Sequence, residues 1–317
     1  MKHYSGISKC VEAIRNSVVT IGNFDGVHIG HQEILKKTVA KAKGIGGVSV
    51  AYTFRPHPRL ALKPDHGIDL LTTYDEKLAI LSSLGLDVVI EEPFSREFST
   101  IDPAEFIRDY LVTRLNAAAI TVGYDFGFGR GREGHLELLQ KLCEENQIDL
   151  TVVQPFRLEH GVVSSSRVRQ LLLSGEIEPA STLLGRHFAY SGIVVKGDGR
   201  GRTLGFPTAN LECDPKLMLP YGVYAAWVDA GEGSSMWSYP SVANIGVRPT
   251  FKATHPSGVS LVQVEAHLID QTIDLYGTRL KLRFVKRLRG EQKFDSVKAL
   301  TSQIERDIEH ARQVLAS

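Results

Sequence analysis

VVTIGNFDGVHIGH, residues 18–31, is the stretch whose reading decides the fold. Val18-Val19-Thr20-Ile21 has the length and β-branched content of a buried parallel strand. In the segment that follows, Gly22-Asn23-Phe24-Asp25-Gly26, two glycines permit a tight turn and a close backbone approach to a ligand. His28 and His31 come next with Gly30 between them, and a helical period (Ile34, Leu35, Thr38, Val39) takes over. Strand, turn and helix N-terminus together present backbone N–H groups and a positive dipole end to an anion. Two imidazoles beside that point can hydrogen-bond phosphate oxygens and gain proton affinity as negative charge builds up. In isolation H-x-G-H describes two surface histidines or a metal pair equally well. The flanking strand and helix turn the reading towards a nucleotide phosphate site.

Outward from this unit, the first half alternates strands and helices. Residues 48–54, 87–91, 118–122 and 150–154 read as further buried strands. Thr73-Tyr74-Asp75-Glu76 is a capping box, and Asp102-Pro103-Ala104-Glu105 opens a helix that runs to about Leu115. Further helices are expected over 135–145 and 164–174. This alternation predicts an α/β fold with a doubly wound parallel sheet, whose ligands lie beyond the carboxyl ends of the strands. Three segments fall at such ends: RPHP (55–58), GYDFGFGR (123–130) and VSSSRVR (163–169). The two prolines of the first forbid helix and sheet continuation. Hydroxyls and arginines in the third either hold a triphosphate or simply cap a helix. GRGREG (129–134) spells G-x-G-x-x-G but follows the fourth strand, so it reads as a flexible basic loop, and no Walker A motif occurs.

The second half changes texture. Short strands are expected near 188–196, 222–229, 236–244, 261–269 and 280–288, separated by glycine and proline turns as in a small β-barrel. Helix returns over 294–315, with Val297, Leu300, Ile304, Ile308 and Val314 as its expected inner face. The boundary falls near Gly185, giving domains 1–183 and 184–317. In KGDGRGRTLGFPTAN (196–210), Gly197, Gly199, Gly201 and Gly205 allow backbone approach and Arg200 and Arg202 offer charge to phosphates. Thr208 and Asn210 are oxygen ligands acceptable to Mg²⁺ beside substrate phosphates, although a glycine-rich hairpin explains the segment too. In LVQVEAHL (261–268) a period of two places Gln263, Glu265 and His267 on one face, as a solvated face also would. Arg279, Lys281 and Arg283 read as a solvated strand face.

Composition bounds the function. A chain of 317 residues encloses a sizeable core and suggests two domains. Its net charge of +1 argues against a general nucleic-acid or membrane-surface binder. Cys10, Cys143 and Cys213 are odd in number and form no C-x-x-C, which favours free thiols in a reducing compartment. Neither a signal-like apolar region nor a membrane-length run is found, so a cytoplasmic protein is expected.

The chain resembles the prokaryotic bifunctional riboflavin kinase/FAD synthetase family over essentially its whole length. The motifs that carry this are GNFDGVHIGH, TFRPHP, GYDFGFGRGREG and VSSSRVR in the first half, and GDGRGRTLGFPTANL, PYGVYA, ANIGVRPTF, VEAHLID, DLYG and LRGEQKF in the second. The resemblance implies an N-terminal FMN adenylyltransferase domain and a C-terminal riboflavin kinase β-barrel, with ATP and Mg²⁺ as cofactors and riboflavin, FMN and FAD as substrates and products. It implies that His28 and His31 stabilise the transition state of adenylyl transfer, with Gly22, Asn23, Phe24, Asp25, Gly30, Ser164, Ser165 and Arg169 binding ATP. Phe54, Pro56, His57, Pro58, Asp125, Phe126 and Phe128 would meet the flavin. In the kinase it implies that Gly197, Gly199, Arg200, Gly201, Arg202, Gly205 and Pro207 line the nucleotide. Thr208 and Asn210 would position Mg²⁺, Glu265 would be the general base, and Arg289 would close over the flavin with the C-terminal helix. Arg55, Asp125, His135 and Ser166 depart from the commoner family residues. Homo-oligomerisation is left open. Two rivals remain: a class I aminoacyl-tRNA synthetase, which shares the letters HIGH, and a non-catalytic flavin-binding regulator. The first lacks a KMSKS-like loop and an anticodon-binding domain; intact His28, His31, Thr208, Asn210 and Glu265 argue against the second.

Overall fold

The computed structural model describes every residue except 11, 159–160, 198, 232–236, 248–261 and 317. The expected strand starts at Met236 and Leu261, Asp198 of the glycine-rich segment, and residues 248–251 of the ANIGVRPTF motif therefore lie outside the described residues. The chain divides into two compact units, Met1–Ser165 and Ser166–Ser317.

The first unit is built on a six-stranded, wholly parallel sheet. Its strands are β1 (Lys2–Tyr4), β2 (Ser17–Ile21), β3 (Val48–Arg55), β4 (Val88–Pro93), β5 (Ala117–Gly123) and β6 (Asp149–Val153), in the order β1-β4-β3-β2-β5-β6. Every residue of β2 is buried, as its run without alternation predicts for a strand covered on both faces. The order reverses between β2 and β5, so a crevice opens beyond their carboxyl ends, where ligands of such sheets bind. Leu35 and Val39 of α1 (Ile29–Gly44) pack with Ala51 and Val89 on one face of the sheet. A second cluster holds Tyr52, Phe106, Leu111 and Ile120. Helix α3 (Tyr74–Ser83) has the expected capping box, with Thr73 and Glu76 each bonding the other's backbone.

Several local readings are corrected. β1, too short to show a pattern, adds an edge strand beside β4. The RPHP prolines do not forbid a helix: β3 extends to Arg55, and α2 (Pro58–Leu62) begins on Pro58, at the first helical turn where its missing N–H costs nothing. The helix at 102–115 is a single turn, α4 (Pro103–Glu105), continued by a π-helix over Phe106–Arg114. GRGREG is tied down as well: Phe128 and Gly134 form a β-bridge around a 3₁₀ turn at Arg130–Arg132. Helix α5 (Leu136–Glu145) leads into β6, and a two-stranded ribbon of β7 (Arg157–Leu158) and β8 (Gly161–Val162) follows.

Helix α6 (Ser165–Ser174) starts at the last residue of the first unit. Helix α7 (Ile177–Leu184), absent from the sequence reading, buries Ile177, Ala180, Leu183 and Leu184 and ends on Gly185 in the left-handed conformation. Six antiparallel strands then close a barrel in the order β10-β13-β12-β11-β14-β9. They are β9 (Ala189–Val195), β10 (Ala209–Cys213), β11 (Gly222–Ala230), β12 (Trp237–Val247), β13 (Val262–Leu268) and β14 (Arg279–Gly290). β10 corrects the five-strand expectation; it was hidden at the end of the glycine-rich segment, which also holds the short helix α8 (Arg200–Thr203). Tyr190, Tyr224 and Phe284 fill the barrel with edge-to-face rings. Helix α9 (Val297–Ala316) lies on β11, β12 and β14 through Ala311, Ile308 and Val314, but Val297 is 64% exposed and does not belong to its inner face. Arg283 is no solvated side chain either: it makes two hydrogen bonds to buried Asp229.

Leu35 is fully buried where α1 meets the sheet. Leu35→Ala is expected to lower unfolding free energy by about 2–5 kcal/mol, read from a urea titration followed by circular dichroism.

Candidate active sites

The turn after β2 is held by a chain of local bonds. Val27 N–H donates to the Phe24 carbonyl at 3.1 Å, and Phe24, Gly26 and Val27 all have positive φ. For a β-branched residue such as Val27 this conformation is strained, and full burial holds it in place. His28 is the N-cap of α1: its Nδ1 accepts the His31 N–H at 3.2 Å. A neutral His28 therefore carries its proton on Nε2. The two imidazoles stack with centroids 3.6 Å apart, and the His31 ring meets Phe24 edge-on. Gly30 is what lets them do so, because a Cβ there would lie 3.2 Å from His28 Nδ1. His31 Nδ1 is buried and has no hydrogen-bond partner among the described residues. Burial, reinforced by the neighbouring His28, holds the His31 pKa well below the ordinary histidine value, so the ring is neutral at pH 7.

Of the other predicted residues, Asn23, Asp25 and Ser165 bond within or onto this turn. The Asp25 carboxylate accepts the Leu71 N–H at 2.8 Å, and the Asp25 carbonyl accepts the Ser165 hydroxyl at 2.8 Å. Asn23 is exposed, and its carbonyl accepts the Thr53 hydroxyl at 3.3 Å. The His57 N–H donates to Tyr74 Oη, which anchors the RPHP loop to α3. The Phe24 ring lies against Gly22. Phe54 packs on Phe94 and Phe98, and Pro56 is exposed while His57 and Pro58 are half-buried. Phe126 stacks on Phe128, which is itself in the core against Phe106; Asp125 is exposed. Ser164 and Arg169 are half-buried, Arg169 one turn beyond Ser165 along α6.

In the barrel, register makes the second site. Antiparallel pairing sets Asn210 on β10 directly opposite Glu265 on β13. The Gln263 amide bridges them, donating to Asn210 Oδ1 and, at 2.7 Å, to Glu265 Oε1. His267, two residues on along the same face, bonds the Pro207 carbonyl through Nδ1 at 2.8 Å and so pins the segment leading to Thr208. Gly197 must lack a side chain, because a Cβ would come within 2.2 Å of Asn210 Nδ2. Gly201, whose carbonyl accepts the Phe206 N–H, lies beside Thr208; Gly199, Gly205, Arg200 and Arg202 are exposed around it. A cavity of about 240 Å³ opens here, lined by Arg202, Pro207, Thr208, Ala209, Leu268 and Tyr276 among others. Arg289 is engaged by Asp307 of α9, with three contacts of 2.8–3.0 Å. Among the described residues no group of three or more His, Cys, Asp or Glu side chains could hold a metal by itself.

Family comparisons fit this division. An FAD synthetase model matches residues 10–167 and a riboflavin kinase model matches 184–315. The bifunctional riboflavin kinase/FMN adenylyltransferase of Escherichia coli (strain K12) is 40% identical over 315 residues, 99% of this chain and 97% of its own. The chain belongs to the bifunctional riboflavin kinase/FMN adenylyltransferase family. The protein of that name from Bacillus subtilis (strain 168) is 36% identical over 93% of this chain and 91% of its own. A crystal structure described as a macrolide-efflux protein from Streptococcus pneumoniae superposes with a TM-score of 0.87 at 30% identity, covering 98% of each chain. Among the described residues of the present chain no helix is long and apolar enough to cross a membrane.

Three side chains at these sites were not singled out from the sequence. Thr53 and Lys77 stand behind the β2 turn, and Glu91 faces Lys77. Lys77 shares the stripe Tyr74, Lys77, Leu78, Leu81 with buried and half-buried neighbours, a spacing that marks a lysine as inward-facing.

The neutral state of His31 has a consequence for stability. The unfolded chain binds a proton below pH 6.5 that the folded His31 rejects, so stability is retained above that pH and lost below it. Urea unfolding midpoints should fall from pH 7 to pH 5, and His31→Gln should reduce this fall by up to about 1.4 kcal/mol per pH unit.

Proposed function

We propose that the two units divide the family's two reactions, each at the site described above. The chain is a riboflavin kinase and an FMN adenylyltransferase, producing FMN and FAD. The observation that carries the division is the presence of two separate constellations, a stacked histidine pair beyond β2 and an Asn210–Glu265 cross-strand pair in the barrel.

In the barrel, Glu265 takes the proton of the ribityl 5′-hydroxyl as that oxygen attacks the γ-phosphorus of ATP, and the bond to the β-phosphate oxygen breaks to release ADP. The cavity beside Arg202, Pro207 and Thr208 receives the nucleotide. Thr208 and Asn210 supply neutral oxygens, and the Gln263 bridge keeps Asn210 Oδ1 beside Glu265. This donor set suits Mg²⁺, which binds through one or two protein oxygens and substrate phosphates. Bound there, Mg²⁺ neutralises phosphate charge. Arg289, anchored on Asp307, would position α9 against the flavin.

In the first unit, an oxygen of the FMN phosphate attacks the α-phosphorus of ATP and pyrophosphate leaves, with no protein nucleophile. His28 Nε2–H and the His31 ring face the accumulating charge, which raises the proton affinity of both imidazoles. Ser164 and Ser165 hold ATP phosphates; Phe54, His57 and Phe126 meet the flavin. We set the functional boundary between residues 183 and 184; the start of the riboflavin kinase match at residue 184 supports it, and helix α7, which precedes it, packs on β14. The free Cys10, Cys143 and Cys213 support a cytoplasmic location.

His28→Ala or His31→Ala should lower FMN adenylylation by about 10²–10³-fold and leave riboflavin phosphorylation intact. Glu265→Gln should do the reverse, by about 10²–10⁴-fold. Chromatographic separation of flavins after incubation with ATP and Mg²⁺ reads both; loss of both activities in one folded variant would contradict the division.

A further inference from the structure

Lys77 is a buried lysine that the mechanism above does not use. It lies on α3 and is 4% exposed. Its Nζ donates to Thr53 Oγ1 at 3.0 Å, and the same hydroxyl donates onward to the Asn23 carbonyl at 3.3 Å. Asn23 belongs to the turn whose far end places His28 and His31. A chain of two hydrogen bonds thus runs from the interior of α3, through β3, into the backbone of the adenylyltransferase turn.

Around it stand Glu91 on β4, Arg55 on β3, Tyr74 on α3 and Asp25 on the turn itself. Glu91 Oε1 is 3.8 Å from Nζ, beyond hydrogen-bond distance, and has no hydrogen-bond partner among the described residues. The other Glu91 oxygen is approached at 3.5 Å by both His3 and Arg55. A direct ion pair with Glu91 would draw the ammonium closer to Oε1 than it sits; the position it takes is set by Thr53. A small cavity lined by Asn23, Asp25, His57, Thr72, Tyr74 and Lys77 adjoins the amine on the side of the turn. Burial pulls the Lys77 pKa down to about 8, against the pull of Glu91 and Asp25. A buried cation of this kind is costly, and a hydrophobic residue of similar length would fill the site without that cost.

We propose that Lys77 is a positioning residue for adenylyl transfer, holding the Asn23 carbonyl through Thr53 Oγ1 and so fixing the turn that presents His28 and His31. Its action is through the turn, by way of Thr53, and not on the reacting atoms. The inference rests on the assignment of adenylyl transfer to that turn.

The test is a cycle of full-length variants: Lys77→Met, Thr53→Val, the double variant, and Thr53→Ser, with His31→Ala as the marker of the turn. Lys77→Met and Thr53→Val should each lower kcat for FAD formation on the order of 10²-fold, the effect of a small misplacement, with KM for FMN and ATP little changed. The double variant should be no worse than Lys77→Met, since both remove one relay. Thr53→Ser keeps the hydroxyl and should keep the rate. Riboflavin phosphorylation by the same protein should be unchanged, which reports the integrity of the fold. Wild-type kcat in Lys77→Met or in Thr53→Val overturns the inference. So does additivity in the double variant, a Thr53→Ser variant as slow as Thr53→Val, or a parallel loss of kinase activity. If Lys77→Met fails to fold, the Val/Ser contrast at Thr53 decides alone. If His31→Ala forms FAD normally, the assignment of the turn has failed and this inference with it; if only His31→Ala is impaired, the relay alone is refuted.

Discussion

One hydrogen bond, from the His31 backbone N–H to His28 Nδ1, organises the turn to which we assign adenylyl transfer. It begins helix α1, fixes which nitrogen of a neutral His28 carries the proton, and turns that ring flat against His31. Everything around it serves the same geometry. Gly30 clears the space beside the ring, Val27 accepts a left-handed conformation to bring the chain round, and β2 delivers the turn to the switch point of the sheet. An imidazole can act on phosphate charge while neutral in the resting site, and burial of His31 enforces that state.

The barrel solves the corresponding problem by register. Closure requires β10 to pair with both β9 and β13, and the β10–β13 pairing sets Asn210 opposite Glu265. A shift of one residue would send one of the two side chains to the opposite face. Gln263 and His267 secure the result, one bridging the pair and the other pinning Pro207. The two sites thus follow one logic in different architectures: a side chain is placed by a neighbour whose own position is fixed by secondary structure.

Much of this was legible in the sequence because the signals were local. The run Val18–Ile21, the capping box at Thr73 and the period-two pattern of 262–268 each specify an element within a few residues. What escaped depended on tertiary context. β1 is three residues long and takes its strand conformation from pairing with β4, and β10 emerges from a glycine-rich segment because the barrel needs a sixth strand to close. Val297 sits on the helical spacing of an inner face, yet the packed stripe of α9 begins beyond it. The histidines of the first site could be read from their motif, whereas Lys77 and Thr53, 24 residues apart, meet only because α3 folds back over β3.

The central claim is that each unit carries a complete site for one reaction and that FMN links them. Its most direct test mixes two full-length variants, His31→Ala and Glu265→Gln, with riboflavin, ATP and Mg²⁺. Each alone should fail to make FAD from riboflavin, and the mixture should make it, with FMN passing from the first variant to the second. A mixture that makes no FAD, although both proteins are folded, would contradict the account.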